Sequence, residues 1–252
     1  MKVDAFACAV VPSDSISRFR RRCYLVRHGD IESFQKDTNA LESCNFKLSD
    51  KGIRQVRELA VMLQDVTFDR AVCSDYPHAY QTARILLDEQ EGMLERAEAF
   101  REIKAGCQGN IPRHERHDLI GVAYETIDEV GGTFLGGEDW DSFEARVLEQ
   151  FHLIVSESSW RSLLIVSHDA VNRILLAWAM GGDRHCVKGL EQDYACLNII
   201  DLDLIGQQVV KCLVRGVNIT PYDPCKVFDQ RTGRGFMSYI TQTQKSNKLS
   251  HG

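Results

Sequence analysis

The sequence predicts an α/β fold, a three-layer α/β/α sandwich built on a mostly parallel sheet. Short apolar runs typical of buried strands alternate along the chain with longer segments whose apolar residues recur at helical spacing. That alternation favours parallel strands joined by helices, which cover both faces of the sheet. The chain has 252 residues, of which 44% are apolar and 26% charged, so it can bury a full core.

The first half of the chain predicts three strands and two helices. Strands are expected over residues 23–26 and 70–74, with a short one around residues 97–100. Ser49 has the side chain of an N-cap, and the apolar residues after it recur at helical spacing, so a helix should run to about residue 64. Pro77 suits the first turn of a second helix, which ends at about residue 88.

The second half opens with an irregular excursion over residues 104–137, rich in glycine, of the kind that often forms a lid or binding loop. Beyond it, the same periodicities predict two helices and three strands. The helices are expected over residues 139–157 and 170–180, and the strands over residues 163–166, 196–202 and 209–214. The last two strands can form a hairpin through Gly206.

These elements predict one domain over residues 23–230, with the excursion as its lid. Residues 1–22 are expected to be an N-terminal extension, whose four arginines between positions 18 and 22 form a solvated flank. Residues 231–252 are rich in Gly, Ser, Thr, Gln and Lys, and we expect them to be a mobile C-terminal tail.

Composition limits the partners and the compartment. A net charge of −6 argues against a broad nucleic-acid surface, and no apolar stretch approaches the ~20 residues that span a bilayer. The nine cysteines are odd in number and include no Cys-x-x-Cys, which favours small buried side chains in a reducing cytoplasm over a disulfide framework or a zinc site. We therefore expect a cytoplasmic protein without nucleic-acid or membrane partners. Its oligomeric state is not readable from the sequence.

Two histidines follow predicted strands directly. His28 ends the run Leu25-Val26-Arg27-His28, and His168 ends Ile165-Val166-Ser167-His168. Ligands bind at the carboxyl ends of strands in open α/β sheets, so the two side chains can meet in one pocket beside Arg27. A neutral imidazole is a good nucleophile and an arginine fork fits phosphate oxygens, so the pattern points to phosphoryl transfer.

The chain resembles the histidine phosphatase (phosphoglycerate mutase-like) superfamily over about residues 23–215. Five segments in the same order carry the resemblance: Arg27-His28-Gly29, Lys47-Leu48-Ser49-Asp50-Lys51-Gly52, Ser74-Asp75 with Ala79-Tyr80-Gln81-Thr82-Ala83, Phe100-Arg101-Glu102-Ile103-Lys104-Ala105-Gly106, and Val166-Ser167-His168. The tripeptide alone is weak evidence, but five ordered segments are specific. The resemblance implies a phosphoglycerate mutase-like fold.

The resemblance also implies a role for each site residue. His28 would attack phosphorus and form a phosphohistidine, while Arg27 and His168 would bind the phosphoryl oxygens. Glu102 would protonate the leaving alcohol and then take a proton from the attacking water. The implied substrate is a small phosphorylated metabolite, and neither a metal nor another cofactor is required.

The chain departs from the family pattern at His78, which stands where relatives have a second phosphate-binding arginine. A histidine lacks the guanidinium fork and is only partly charged at neutral pH, so phosphate binding is expected to be weaker. If His78 binds phosphate as a cation, affinity should fall as pH rises from about 6 to 8. Other cations that can fill this place are Arg84, Arg113, His114 and Arg173.

Asp169 is a second departure, since relatives often have glycine after the second histidine. It can orient a neighbour or cap the following helix, and the sequence favours the cap. Arg173 can pair with a core carboxylate or reach the substrate.

The function that these residues predict is a metal-independent phosphatase that hydrolyses a small phosphomonoester, such as a sugar phosphate or a cofactor-precursor phosphate. One alternative is a mutase that returns the phosphoryl group to a second hydroxyl. Another is a regulatory or binding protein that has kept the fold and lost turnover, for which His78 is the main support.

Overall fold

The computed structural model describes residues 18–32, 46–88, 94–106 and 123–227. Most of the predicted extension, the middle of the predicted lid and the predicted C-terminal tail lie outside these ranges. The division into an extension, a domain and a tail therefore stays a prediction.

A single sheet of six strands organises the described residues. The strands are β1 (Arg18–Arg27), β2 (Arg70–Cys73), β3 (Leu94–Arg96), β4 (Ser162–Ser167), β5 (Leu197–Ile205) and β6 (Gln208–Ile219). Their order across the sheet is β3-β2-β4-β1-β5-β6. The first four in that order are parallel to one another, and β5 and β6 add an antiparallel hairpin. The predicted mostly parallel sheet is confirmed.

Four helices cover the two faces of this sheet. They are α1 (Asp50–Met62), α2 (Pro77–Leu87), α3 (Trp140–Ser156) and α4 (Asp169–Ala179). One apolar core packs α3 and α4 on one face, and a second core packs α1 and α2 on the other. Because side chains alternate along a strand, Leu25 of β1 enters the first core and Val26 the second. The three-layer prediction is therefore also confirmed.

Local chemistry at the helix ends matches the sequence. The Ser49 hydroxyl accepts a hydrogen bond from the backbone N–H of Gly52 at 3.0 Å, which caps α1 as predicted. Asp139 caps α3 by accepting from Ser142 N–H. The apolar stripe of α3 is buried throughout, which places it in the core as its spacing predicts.

Strand β1 begins earlier than predicted, because residues 18–22 belong to the sheet and not to a solvated flank. Arg20 donates two hydrogen bonds to the carboxylate of Asp203 on the neighbouring strand, and Arg22 donates two to that of Asp201, at 2.6–3.0 Å. These paired charges make a polar sequence compatible with a strand. The predicted boundary between residues 22 and 23 is thus wrong as the start of the strand.

The short strand predicted around residues 97–100 is displaced. β3 ends at Arg96, and the N–H of Ala97 makes the last ladder contact, to the carbonyl of Cys73 at 2.8 Å. The chain then turns into a 3₁₀ helix (Glu98–Phe100) that buries the Phe100 ring completely. The apolar residues that suggested a strand therefore enter the core from a turn.

Six cysteines lie in the described part of the chain, and all are free. Cys23, Cys73 and Cys196 are fully buried, as expected of small apolar side chains. None of the described helices is long and apolar enough to cross a membrane.

Candidate active site

The parallel strands bring the predicted site residues to one edge of the sheet. β1 and β4 are neighbours in register, with Arg27 opposite Ser167, so His28 and His168 follow adjacent positions. The His28 N–H donates to the Ser167 carbonyl at 3.0 Å, and the two imidazole centres lie 5.1 Å apart. The two histidines that the sequence singled out therefore share one pocket.

The turn after His28 depends on two glycines. An added Cβ at Gly29 would lie 2.8 Å from the Gly52 carbonyl oxygen, and one at Gly52 would lie 2.0 Å from the Asp30 carbonyl oxygen. The loop and the start of α1 thus approach each other more closely than any side chain permits. This contact fixes the path of the chain that carries His28.

His28 is held in one tautomer. Its Nδ1 lies 2.8 Å from the Gly29 carbonyl oxygen, which can only accept, so Nδ1 carries the proton and Nε2 keeps its lone pair. Burial lowers the pKa of His28 well below its usual value, and the neighbouring His78, His168 and Arg27 lower it further. His28 is therefore neutral with an unprotonated Nε2, which is the state that a histidine nucleophile requires.

His78 lies beside His28, in the first turn of α2. It is buried, and the two ring centres are 4.2 Å apart. Its Nδ1 donates to the Phe46 carbonyl at 3.0 Å, and burial lowers its pKa to about 4. His78 thus faces the predicted pocket rather than the surface. Its imidazole is therefore neutral between pH 6 and 8 in the free protein, and the expected phosphate contact of His78 stays a prediction.

His168 begins α4 as its N-cap residue. Its Nε2 lies 2.8 Å from the Ser74 hydroxyl oxygen, and its ring centre is 5.3 Å from that of Tyr76. Burial lowers the pKa of His168 well below its usual value, with help from His78 and Arg27. Ser74 follows β2, so this bond ties the ends of two strands together across the pocket.

Arg27 supplies a buried positive charge. Its Nη1 donates to the Gln192 carbonyl, and its guanidinium carbon lies 4.2 Å from the centre of the Tyr194 ring. Its Nε is buried without a hydrogen-bond partner among the described residues. Burial opposes the charge, but Asp169 and other acidic groups raise the pKa of Arg27, so the charge persists. An anion in the pocket would give Nε the partner that it lacks.

Glu102 follows the 3₁₀ helix after β3 and reaches the start of α4. Its carboxylate accepts from the N–H of Ile103 at 3.0 Å and from that of Ala170 at 3.2 Å. Burial raises its pKa to about 7, and the nearby Asp169 adds to the rise, against Arg27 and the two N–H donors. A carboxyl group with this pKa both gives and takes protons near neutral pH.

Asp169 does not cap α4, so the favoured interpretation is wrong. It accepts from Arg173 Nε at 2.6 Å in a buried pair one turn along the helix. Arg173 also donates to the Val187 carbonyl and lies over the Tyr124 ring. The structure shows the two alternatives that the sequence left open: Asp169 orients a neighbouring side chain, and Arg173 is paired with a core carboxylate.

Of the other predicted cations, Arg173 is bonded to Asp169, and Arg84 does not lie beside His28. The Arg84 side chain is exposed on α2, and Arg113 and His114 lie outside the described residues. The place that a second arginine would fill is therefore occupied, within the described ranges, by the neutral imidazole of His78.

Tyr194, Gln192 and Ser74 have site contacts that the sequence gave no role. Tyr194 and Gln192 lie in an irregular segment before β5, where no periodicity signals them. Ser74 lies in one of the matching segments, at the end of a predicted strand, and that placement is a signal that could have been used. Together these residues hold Arg27 and His168 in place.

The three site histidines are also the described residues best placed to hold a metal ion. Ring nitrogens of His28, His78 and His168, one from each, lie within 4.8 Å of one another, and all three residues are buried. No ion is needed to explain the folding of the pocket, since each ring already has a protein hydrogen bond.

Comparisons with known proteins agree with this geometry. Residues 23–214 match the histidine phosphatase superfamily (branch 1). The adenosylcobalamin/alpha-ribazole phosphatase of Escherichia coli strain K12 is 28% identical over 190 residues, which cover 72% of this chain and 90% of that protein.

Solved structures show the same fold. The alpha-ribazole phosphatase from Shigella flexneri superposes with a TM-score of 0.62 at 22% identity, covering 78% of this chain and 96% of that one. A phosphoglycerate mutase from Bacillus anthracis strain Sterne superposes with a TM-score of 0.60 at 20% identity, covering 79% and 93%. The predicted phosphoglycerate mutase-like fold is confirmed, and so is the enzyme class, phosphoric monoester hydrolase. The chain belongs to the histidine phosphatase superfamily.

Proposed function

We propose that this protein is a metal-independent phosphatase that hydrolyses a small phosphomonoester through a phosphohistidine on His28. The observation that carries the proposal is the state of His28. Its Nδ1 proton is fixed on the Gly29 carbonyl, so the lone pair of Nε2 is available in a buried pocket. Arg27 supports the proposal because its buried Nε, which has no hydrogen-bond partner in the part of the chain that the structure describes, can bind a phosphoryl oxygen.

In the first step, Nε2 of His28 forms a bond to phosphorus as the bond from phosphorus to the alcohol oxygen breaks. Glu102 gives its proton to that oxygen, so the product leaves as an alcohol and Glu102 becomes a carboxylate. Arg27 stabilises the charge on the three equatorial oxygens, and His168 contacts them from the next strand.

In the second step, water attacks the phosphohistidine. The Glu102 carboxylate takes a proton from the water, and the bond from phosphorus to nitrogen breaks. Inorganic phosphate is released and His28 regains its lone pair. A carboxyl group with a pKa of about 7 suits both halves of this cycle, since neither protonation state is costly near neutral pH.

The proposed substrate is a small phosphomonoester of the sugar-phosphate or cofactor-precursor type. The relative from Escherichia coli, named for adenosylcobalamin and alpha-ribazole, supports the cofactor-precursor class. We expect the lid and the loop over residues 30–47 to select among such substrates, because loops carried on a rigid sheet commonly do so. A panel of phosphorylated metabolites that includes alpha-ribazole phosphate tests this expectation.

The reaction itself is tested with p-nitrophenyl phosphate, with and without a chelator. We expect the wild type to hydrolyse it equally in both conditions and His28→Ala to be inactive. His185→Ala is the matched control, because this imidazole is exposed and pairs with Asp128 away from the pocket. Hydrolysis that the chelator abolishes, or that survives in His28→Ala, would contradict the proposal.

A further inference from the structure

The replacement of an arginine by His78 changes what the pocket can bind. With an arginine, the pocket would hold two guanidinium groups and two imidazoles, which suits an anion. With His78 it holds three imidazoles whose ring centres are 4.2 Å, 5.1 Å and 5.3 Å apart. Three clustered imidazoles are a ligand set for zinc and similar divalent transition metals.

Each of these rings already has one nitrogen in a hydrogen bond. Nδ1 of His28 and Nδ1 of His78 donate to backbone carbonyls, and Nε2 of His168 bonds the Ser74 hydroxyl. Within the described ranges of the chain, the second nitrogen of each ring has no hydrogen bond, so it can meet a ligand. Histidines that bind metals have this arrangement, in which one nitrogen is oriented by a carbonyl or another polar group and the other meets the ion.

The charges around the cluster do not exclude a cation. Arg27 and Arg173 are positive, but Glu102 and Asp169 are negative, and Asp169 is bonded directly to Arg173. Arg27 is held by the Gln192 carbonyl and the Tyr194 ring rather than by the histidines. Above pH 8, where Glu102 is ionised, these four charges sum to zero, and Arg146, which also acts on His168, is paired with Glu138. Zinc binding is therefore measured at that pH.

We propose that His28, His78 and His168 together bind one zinc-class divalent ion, and that this ion inhibits the phosphatase. In a tetrahedral site with zinc–nitrogen bonds of ~2.0–2.1 Å, the ligand nitrogens lie ~3.4 Å apart. One ring nitrogen from each histidine already lies within 4.8 Å of the other two, so the rings must move closer together before all three bond one ion. A fourth coordination position stays open for water.

Inhibition follows from the nucleophile's single lone pair. Nε2 of His28 cannot bond to the ion and attack phosphorus at the same time. This part of the inference rests on the proposed function, whereas the binding of the ion does not. Direct binding and hydrolysis are therefore measured separately, so that failure of one is distinguishable from failure of the other.

Binding is measured by titrating the metal-free protein with zinc chloride in a calorimeter. We expect one ion per chain for the wild type and for His185→Ala. For His78→Arg we expect binding at least about 100-fold weaker, because the variant loses a ligand and gains a cation. Magnesium chloride should not bind at this site, since Mg²⁺ prefers oxygen ligands in octahedral geometry.

Cobalt chloride provides a readout that does not depend on a variant folding correctly. Co²⁺ bound by three imidazoles in a four-coordinate site absorbs visible light strongly, and we expect this absorption from the wild type. Adding zinc should abolish it by displacement, because zinc binds such sites more tightly. Absence of the band together with absence of zinc binding would overturn the metal site.

Inhibition is measured as the ratio of p-nitrophenyl phosphate hydrolysis with zinc to that without it, for each protein separately. We expect the ratio to fall at least tenfold in the wild type and in His185→Ala, and to stay near one in His78→Arg. Stoichiometric zinc binding with unchanged or increased hydrolysis would overturn the inhibitory role. Zinc binding in a protein that never hydrolyses the substrate would overturn the proposed function instead.

Discussion

Strand β1 carries arginines at both of its ends, and the two ends use them differently. At the amino end, Arg20 donates to the carboxylate of Asp203 and Arg22 to that of Asp201, both on β5. At the carboxyl end, Arg27 meets the Gln192 carbonyl and the Tyr194 ring, and its buried Nε has no partner among the described residues. Arg21, at the amino end, also has a buried Nε without a partner among the described residues. What sets Arg27 apart is its place beside His28, at the edge of the sheet where His168 also lies, with neutral groups as its nearest partners.

The contrast has an energetic basis. A buried donor without a partner costs ~1–3 kcal/mol, and a ligand that supplies the partner recovers that cost on binding. The pairs at the amino end commit Nε and Nη2 of each guanidinium to a carboxylate, which an anion would have to displace at those atoms. A charged donor held in place by neutral groups is prepared for phosphate oxygens, because no carboxylate must be displaced when phosphate binds.

The largest effect is expected at Arg27. Arg27→Ala should lower kcat/KM for p-nitrophenyl phosphate by about 10³-fold, since the charge that develops on the phosphoryl oxygens loses its fixed partner. Arg22→Ala is the matched control from the other end of the strand, and its kcat/KM should equal that of the wild type. A loss below tenfold for Arg27→Ala would remove this arginine from the site.

Glu102 comes next. In the wild type, kcat/KM for an alkyl phosphate should fall about tenfold per pH unit above pH 7, because the pKa of Glu102 is about 7 and only its protonated form is an acid. Glu102→Gln should lower this kcat/KM by about 10²-fold and remove that fall.

p-Nitrophenyl phosphate is the control substrate for this prediction, since its good leaving group needs little proton transfer. The Glu102→Gln substitution should lower kcat/KM for p-nitrophenyl phosphate much less than it lowers kcat/KM for the alkyl phosphate. Equal losses on the two substrates would assign Glu102 another role.

A smaller effect is expected at His78. His78→Arg should lower the inhibition constant of inorganic phosphate about tenfold at pH 7, because a permanent charge with a fork replaces an imidazole whose pKa is about 4. The measurement is made with a chelator present. His185→Arg adds the same charge outside the pocket and should leave the constant unchanged. Weaker phosphate binding in His78→Arg would show that the imidazole itself contacts phosphate favourably.

The smallest effect is expected on stability at the amino end of β1. Arg22→Ala should lower the free energy of unfolding by at most about 1 kcal/mol, because the Arg22 side chain is partly exposed and solvent screens its charge. Two other arginines, Arg20 and Arg215, stay within 4 Å of Asp201. Chemical denaturation measures the change. A loss above 3 kcal/mol would mean that Asp201 depends on Arg22 alone.

The layers of the fold were predictable because periodicity reports burial. Strands β2 and β4 and helices α1 to α4 lie within about two residues of their predicted bounds. The early start of β1 was not predictable, because the partners of its arginines lie far away in sequence. Arg20 and Arg22 pair with Asp203 and Asp201, and Arg21 donates to the carbonyls of residues 155 and 157. The predicted strand around residues 97–100 is displaced to residues 94–96, because the Phe100 side chain is buried from a 3₁₀ turn and not from a strand.

The sequence predicts those parts of the site whose positions are determined by the ends of the strands. The meeting of His28 and His168 follows from two neighbouring parallel strands. The neutrality of His78 did not follow, because its pKa depends on burial and on the Phe46 carbonyl, neither of which a sequence pattern reports. The same holds for the pairing of Asp169 with Arg173 and for the contacts of Tyr194 with Arg27.

The central claim is that His28 carries the phosphoryl group, and its Nδ1 contact makes that claim specific to one atom. The protein is mixed rapidly with p-nitrophenyl phosphate, quenched in alkali and analysed by mass spectrometry and by the position of the phosphoryl group on the ring. We predict one phosphoryl group per chain on Nε2 of His28, labile to acid and absent from His28→Ala. A phosphoryl group on Nδ1 or on another residue, or product release with no phosphoprotein formed, would contradict the account.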